Sequence, residues 1–586
     1  MALINCPYCG NRISSLTSAC IYCGSVVSDT DEGLMYETRN NTLIKYHGSR
    51  EIISIPGNIE IIGRSSFEGC TSVKKIIIGN HVKSIGDFAF MDCTSLESVM
   101  IEDGITSIGF RAFAGCTSLV DIELPHTVDS IGDRAFENCT EITSINIPYG
   151  IKSIGKEAFF KCVSLKELEF SETVLTIGFE SFAFCSNIEK VTFGENTMSI
   201  GGRSFLGCSK IKSIVIPQKV ESIGEEAFFD CSSLEEVVLG ENLQTVGMLS
   251  FAECKLLKRI DIPESVKSIG IKAFNNCQSL EEVNLSHGLI EISSEAFKGC
   301  SSLKYIRIPK SVKIFGFEVF CDCPALEEIE IGSIKRWCGV EFSIIKGNSQ
   351  PYNKRLSVDG QIITDLIISD EVTEVRDAAF SNCTCIESAE ISEGIVSIGQ
   401  QSFLNCTNMT SIILPESLSS IGKQAFYNCS SLESIKLSDQ IVGISAGTFG
   451  ECRSLKSASI GNGIKQIDSL AFENCTSLEI MELGEGLTSI SKNAFLGCSS
   501  LKELVICKAL SSISAGAFEG CNSLKNVYFK YREEEMPRIF IGENSELDYV
   551  SPYFYSEEEP LEEGNYWHYN EIGEIEIWKD KQIKIY

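Results

Sequence analysis

Residues 105–127 read ITSIGFRAFAGCTSLVDIELPHT, and this 23-residue unit, repeated along most of the chain, decides the fold. Its Phe113 stands three residues before Cys116, and the same Phe-x-x-Cys spacing occurs nineteen times. In one run the cysteines recur every 23 residues from Cys70 to Cys323, with Phe67 to Phe320 in step. In a second run they recur from Cys383 to Cys521, with Phe380 to Phe518 in step. A fixed period of about 20 to 50 residues marks a stack of units, none of which can bury its apolar face alone. The expectation is a solenoid, not a globule.

Within the unit, Leu119-x-x-Ile122-x-Leu124 ends in the alternation of a half-buried strand, and Pro125 removes a backbone donor and stops it. Ile108-Gly109 reads as a turn in which glycine relieves a strained backbone position, and Ala112-Phe113-x-x-Cys116 as a short helical turn on the outer side. The glycine is present in 13 of the 19 units and replaced by Ser293, Arg376, Ser445, Asp468, Ser491 or Ser514 in the rest, so it is preferred and not obligatory. One cysteine per unit, most often followed by a small polar residue, suits a stacked core that needs a small buried side chain where strand and outer turn meet. Thiols standing in file would not converge on one ion.

The 586 residues are 43% hydrophobic, enough for a long continuous core. MALINCPYCG turns polar within five residues without a basic n-region, and no apolar run of about 18 residues follows, so neither a leader nor a membrane span is expected. The 27 cysteines, most of them in the ladder, fit a reducing cytoplasm; a leaderless route to the cell surface is the alternative. A net charge of −30 argues against nucleic acid, whose phosphates demand basic patches. Five scattered histidines, with no nucleophile–base grouping or phosphate loop, argue against an enzyme and a small-molecule substrate.

Solenoid ends need caps. NTLIKYHGSREIISIP keeps Ile53, Ile55 and Pro56 in register as a degenerate first coil, with His47 where a cysteine would stand, and the aromatic, acidic tail after Phe529 reads as a small sheet-like cap. From Cys323 to Cys383 the spacing jumps by 60 residues, so an island is inserted, ending in a turn at Asp359-Gly360. At the front, Cys6, Cys9, Cys20 and Cys23 form C-x2-C-x10-C-x2-C with a glycine after each pair. Two such knuckles supply a closed shell of four thiolates, the ligand set of one structural zinc, with iron the alternative. Arg12 is the only basic residue within residues 1–33, which disfavours nucleic acid for this ribbon. The expected layout is a zinc ribbon over residues 1–30, a first array with its cap over 40–323, the island over 324–362, a second array over 363–530 and a cap over 531–586.

The residues flanking the inner Ile of each strand would form an outward strip on the order of 100 Å long at a strand spacing of about 4.8 Å. It carries twelve acidic and five basic residues, and its aromatics are Tyr305 and Tyr528. Binding hot spots favour Trp, Tyr and Arg. Arg259, Tyr305 and Arg307, with Trp337 in the island, are therefore the candidate partner-binding residues.

The unit IxxIGxxAFxxCxSLxxIxIP resembles the BspA-type leucine-rich repeat over roughly residues 40–530. The island with Trp337, the stretch VDGQIITDLIIS and the tail YSEEEPLEEGNYWHY look like segments that recur in bacterial members. The front knuckles look like the short zinc ribbons of many bacterial proteins. The resemblance implies a curved leucine-rich repeat solenoid, with a parallel concave β-sheet and short helical turns on the convex side, that binds proteins or matrix; many members are surface adhesins. It supplies no catalytic residues. The expected function is a non-enzymatic scaffold for a protein partner, with a secreted or cell-surface adhesin as the alternative.

Overall fold

The computed structural model describes residues 3–5, 12–14, 35–343, 355–535, 539–560 and 564–578. They fall into two compact units, Met1–Leu303 with Asp322–Ala325, and Lys304–Cys321 with Leu326–Tyr586.

Most coils contribute two strands, one more than the sequence pattern shows. In the quoted unit Asp121–Ile122 is the expected strand, and Ser107–Ile108, just before the glycine, is a second. The second kind forms its own parallel ladder, Ser84–Ile85, Ser107–Ile108, Ser130–Ile131, Ser153–Ile154, Thr176–Ile177 and Ser199–Ile200, each residue opposite its counterpart 23 positions away. Longer strands pair in the same parallel register, as in Ile52–Ser54, Lys75–Ile78, Ser98–Ile101 and Asp121–Ile122 of the first unit and Asp365–Ile368, Ser388–Ile391 and Ser411–Ile413 of the second. Alternation then sorts the side chains: Ile122 and Leu124 are buried, and Asp121 and Glu123 are exposed.

The phenylalanines stack in file. Rings from Phe67 to Phe297 in the first unit lie 4.9 to 5.6 Å apart, and those from Phe380 to Phe518 in the second 5.1 to 5.5 Å apart. Each buried Phe contributes about 1.5–3 kcal/mol through lost apolar area, and each ring pair about 0.5–1.5 kcal/mol more.

The outer segments are not helical turns. Arg111 (φ 53°) and Gly115 (φ 75°) are left-handed, and the equivalent positions repeat this in nearly every coil, in most cases without glycine. Left-handed residues turn alternate N–H groups toward the next coil: Arg111, Phe113 and Gly115 donate to the carbonyls of Asp133, Ala135 and Glu137 at 3.0, 2.8 and 2.7 Å. Ala112, Ala114 and Cys116 donate back within their own turn. A left-handed non-glycine residue costs about 1–2 kcal/mol, which a net hydrogen bond of about 1 kcal/mol and ring burial offset. The glycine after the Ile also has another purpose than the expected relief of strain. A β-carbon on Gly109 would come within 2.6 Å of the Gly86 backbone, so glycine here permits the close approach of stacked coils.

In the first unit Tyr36–Arg39 pairs antiparallel with Thr42–Tyr46, and the Tyr46 ring sits 5.1 Å from Phe67 at the head of the Phe file. In the second, the island enters both ladders: Glu341–Phe342 pairs with Ile314–Phe315, and Arg355–Val358 with Glu328–Ile331. Arg355–Val358 then turns back at Asp359 and Gly360, both left-handed, into Gln361–Ile362. The tail continues the long ladder through Ser551–Tyr555 and Tyr566–Tyr569 to an antiparallel Ile575–Ile577.

Candidate functional site

The outward strip of the long strands is present in both units, and its expected contact residues are largely engaged with their own neighbours. In the first unit the Arg259 guanidinium binds Asp261 at 3.0 Å and Glu282 at 3.0 Å, while Asn284 also donates to Asp261. Arg259 thereby holds the Asp261 carboxyl below its ordinary pKa. Its charge is spoken for along the strip.

In the second unit Tyr305–Ile308 lies in register with Glu328–Ile331, which puts Tyr305 and Arg307 beside Glu328 and Glu330. The Tyr305 hydroxyl donates to the Glu330 carboxylate, and the Arg307 guanidinium stands 3.3 Å from it. Burial first, then the bond to Glu330, pushes the Tyr305 phenol up to about 12. Tyr305 remains 44% exposed, so its ring is available while its hydroxyl is committed.

Trp337 does not face a partner. It lies on the short helix Ile334–Cys338 with 8% of its surface exposed, donates its indole N–H to the Ala379 carbonyl at 2.6 Å, and packs edge-on to Phe315 and Phe342. It pins the island to the following coil, and its large apolar ring explains why it is inside. Tyr528, the other aromatic of the strip, is also covered.

What covers Tyr528 is the chain's own tail. Trp567, fully buried, packs on Tyr528 and Val505, with Tyr553, Tyr555, Tyr569 and Ile575 around them. The Tyr569 hydroxyl donates to Glu482 at 2.8 Å, and Lys530 bridges Glu482 and Glu485 at 2.6 and 3.1 Å. The hairpin Tyr566–Ile577 therefore rests on the outward side of the strands Ile480–Glu482, Glu503–Ile506 and Asn526–Phe529. Beside it the strip opens into a shallow hollow of about 650 Å³ over Ser434, Ser457 and Ser459, bordered by Lys436, Glu482 and Lys530. Sequence reasoning passed over Glu482, Lys530, Trp567 and Tyr569, although the clustering of aromatics in the tail was the signal for a docked segment.

Cys6, Cys9, Cys20 and Cys23 lie outside the described residues. Leu3–Asn5 and Arg12–Ser14, which flank the first pair, are antiparallel partners. Among the described residues no group of His, Cys, Asp or Glu could hold a metal ion. No described helix is long and apolar enough to cross a membrane.

A family model described as BspA type Leucine rich repeat region (6 copies) matches residues 40–166, 152–267, 245–338, 359–479 and 419–540. The chain belongs to the BspA-type leucine-rich repeat family. Among solved structures, this leucine-rich repeat chain is similar to a leucine-rich repeat protein from Bacteroides ovatus, with 24% identity, 84% of this chain and 94% of the other covered, and a TM-score of 0.35. It is also similar to a leucine rich cell surface protein from Faecalibacterium prausnitzii, with 20% identity, 84% and 91% covered, and a TM-score of 0.23. A third is the pneumococcal vaccine antigen PcpA, with 20% identity, 59% and 74% covered, and a TM-score of 0.29. No curated protein matches.

The family's repeat also explains its cysteines. Cys116 is fully buried, and its thiol donates to the Phe90 carbonyl of the preceding coil at 3.1 Å. The same bond recurs along both runs, as from Cys208 to Phe182 and from Cys452 to Phe426. Burial pushes these thiols up, Cys452 to about 12, so they stay protonated and unreactive.

Proposed function

We propose that this leucine-rich repeat chain is a non-enzymatic scaffold whose outward strand face holds a protein partner, fronted by a ribbon in which Cys6, Cys9, Cys20 and Cys23 bind one structural zinc. The observation that carries the scaffold reading is the docked hairpin. A protein segment already lies on this face, burying Val505 and Tyr528 under Trp567, so the face has the relief and chemistry to accept one. Upstream of the hairpin the strip stays open, with Ile413 and Val215 more than half exposed. The antiparallel strands on either side of Cys6 and Cys9 support the ribbon, since a hairpin brings such a pair to one turn.

A photo-crosslinking residue placed at Ile413 or Ser434 should form adducts with one protein in the native cell, and the same residue at Lys272, on an outer turn, should not. Adducts at Lys272 alone would move the site off the strand face. Surface biotinylation of intact cells separates this scaffold from the adhesin alternative.

A further inference from the structure

We propose that the outer turns of the first unit between Arg64 and Gly207 form a second interaction surface, through which two copies of this chain associate. This face is independent of the strand face. Among the described residues the exposed phenylalanines are Phe110, Phe179 and Phe184, at 38%, 40% and 42%, and all three stand on these turns. Phe179 has Lys156 on one side at 5.3 Å and Arg203 on the other at 5.9 Å, and Arg111 lies 5.7 Å from Phe110. Phe184 leans over the following coil, where a β-carbon on Gly207 would meet its ring at 2.9 Å. Aromatic rings and arginines are enriched at interfaces and a cation over a ring adds to the contact; among the described residues of the strand face the one such pair, Lys530 over Tyr569, is taken up by the docked hairpin.

Charge decides the occupant. The seven outer turns at 64–69, 87–92, 110–115, 133–138, 156–161, 179–184 and 202–207 carry six basic and seven acidic residues, in a chain of net charge −30. The two signs are interleaved and zipped along the stack, as in Arg134–Glu157 at 2.7 Å and Arg203–Glu180 at 3.4 Å. A strongly acidic partner would need a net positive surface, and a basic one finds more acid on the strand face. A nearly neutral patch holding both signs is complementary to itself about a two-fold axis. It is also a place where two copies of so acidic a chain can meet without adding local repulsion to that between their net charges.

Sedimentation velocity of the full chain over a range of concentrations tests this. The expected result is a reversible dimer that tightens as salt is added, because salt screens the repulsion between the two net charges. Phe110→Ser, Phe179→Ser and Phe184→Ser together should weaken it at least ~tenfold, by the hot-spot scale for buried aromatics. Lys156→Glu with Lys161→Glu, which adds acid and removes the cation over Phe179 without touching the buried Phe file, should do the same, and Ile413→Ser on the strand face should change nothing. A chain that stays monomeric throughout overturns the proposal. So does a dimer indifferent to both sets of substitutions, lost with Ile413→Ser, or weakened by salt.

Discussion

Cys208 shows how far a residue's type reveals its work. Its Phe-x-x-Cys setting in the sequence marks a packed thiol, and the structure buries it completely; the hydrogen bond to the Phe182 carbonyl was not legible, because it joins residues 26 apart across coils. That carbonyl also accepts from the Cys185 N–H at 3.2 Å, so removing the thiol leaves it satisfied. Cys208→Ala should therefore cost only about 1 kcal/mol, against roughly 3–5 kcal/mol for Phe205→Ala, whose ring stacks on two neighbours. Equal shifts in denaturant midpoint would refute the ranking, as would fast labelling of the ladder thiols in the native chain. The glycine after the Ile is a sharper case, since sequence shows that it is preferred and not why. A β-carbon on Gly132 would lie 2.8 Å from Gly109 backbone, and one on Gly57 would meet nothing within 4 Å. Gly132→Ala should lower the melting temperature clearly and Gly57→Ala hardly at all.

Among the elements, the outer turns and the tail hairpin were the least legible. Left-handed positions filled by Arg111, Glu157 or Leu249 carry no glycine signal, and bonds from coil to coil, invisible in a single repeat, select that conformation over a helix. The hairpin's docking rests on a titratable cluster. Burial raises the Glu482 pKa, but hydrogen bonds from Lys530 and Tyr569 outweigh it and leave the carboxyl below its ordinary value. A lowered folded pKa adds stability above the unfolded value of about 4.3, which is lost as pH falls through the folded one. Tyr569 works in the other direction. Burial and the bond to Glu482 raise it to about 12, so its contribution is present below the unfolded pKa of about 10 and lost as pH rises through the folded one. Amide protection over 566–577, the exchange rate taken relative to the intrinsic rate at each pH, should be greatest between these limits and fall toward either. Glu482→Gln should flatten the acid limb, and an unchanged limb would place the titration elsewhere.

For the whole molecule, the repeat made the solenoid class, its two runs and its break readable from residue spacing. The contact residues were not readable, because what decides them is which strip positions neighbours have already taken: Glu282 and Asp261 for Arg259, Glu330 for Arg307, and the tail for Tyr528. What stays open on the strip is mostly acid, serine and aliphatic residues, so a partner captured there should be basic or mixed and released progressively by salt. That is opposite in sign to the salt response of self-association through the outer turns. The ribbon is expected to be separable from the array, because the array closes its own front: Tyr46 covers Phe67, and Tyr36–Arg39 covers the edge of Thr42–Tyr46. Cys6→Ser with Cys9→Ser should therefore abolish one bound zinc per chain, read by elemental analysis, and leave the thermal unfolding of the repeats where it was. Zinc retained by that variant would assign the metal to other ligands, and repeats that melt early with the metal gone would make the ribbon part of the first coil's core.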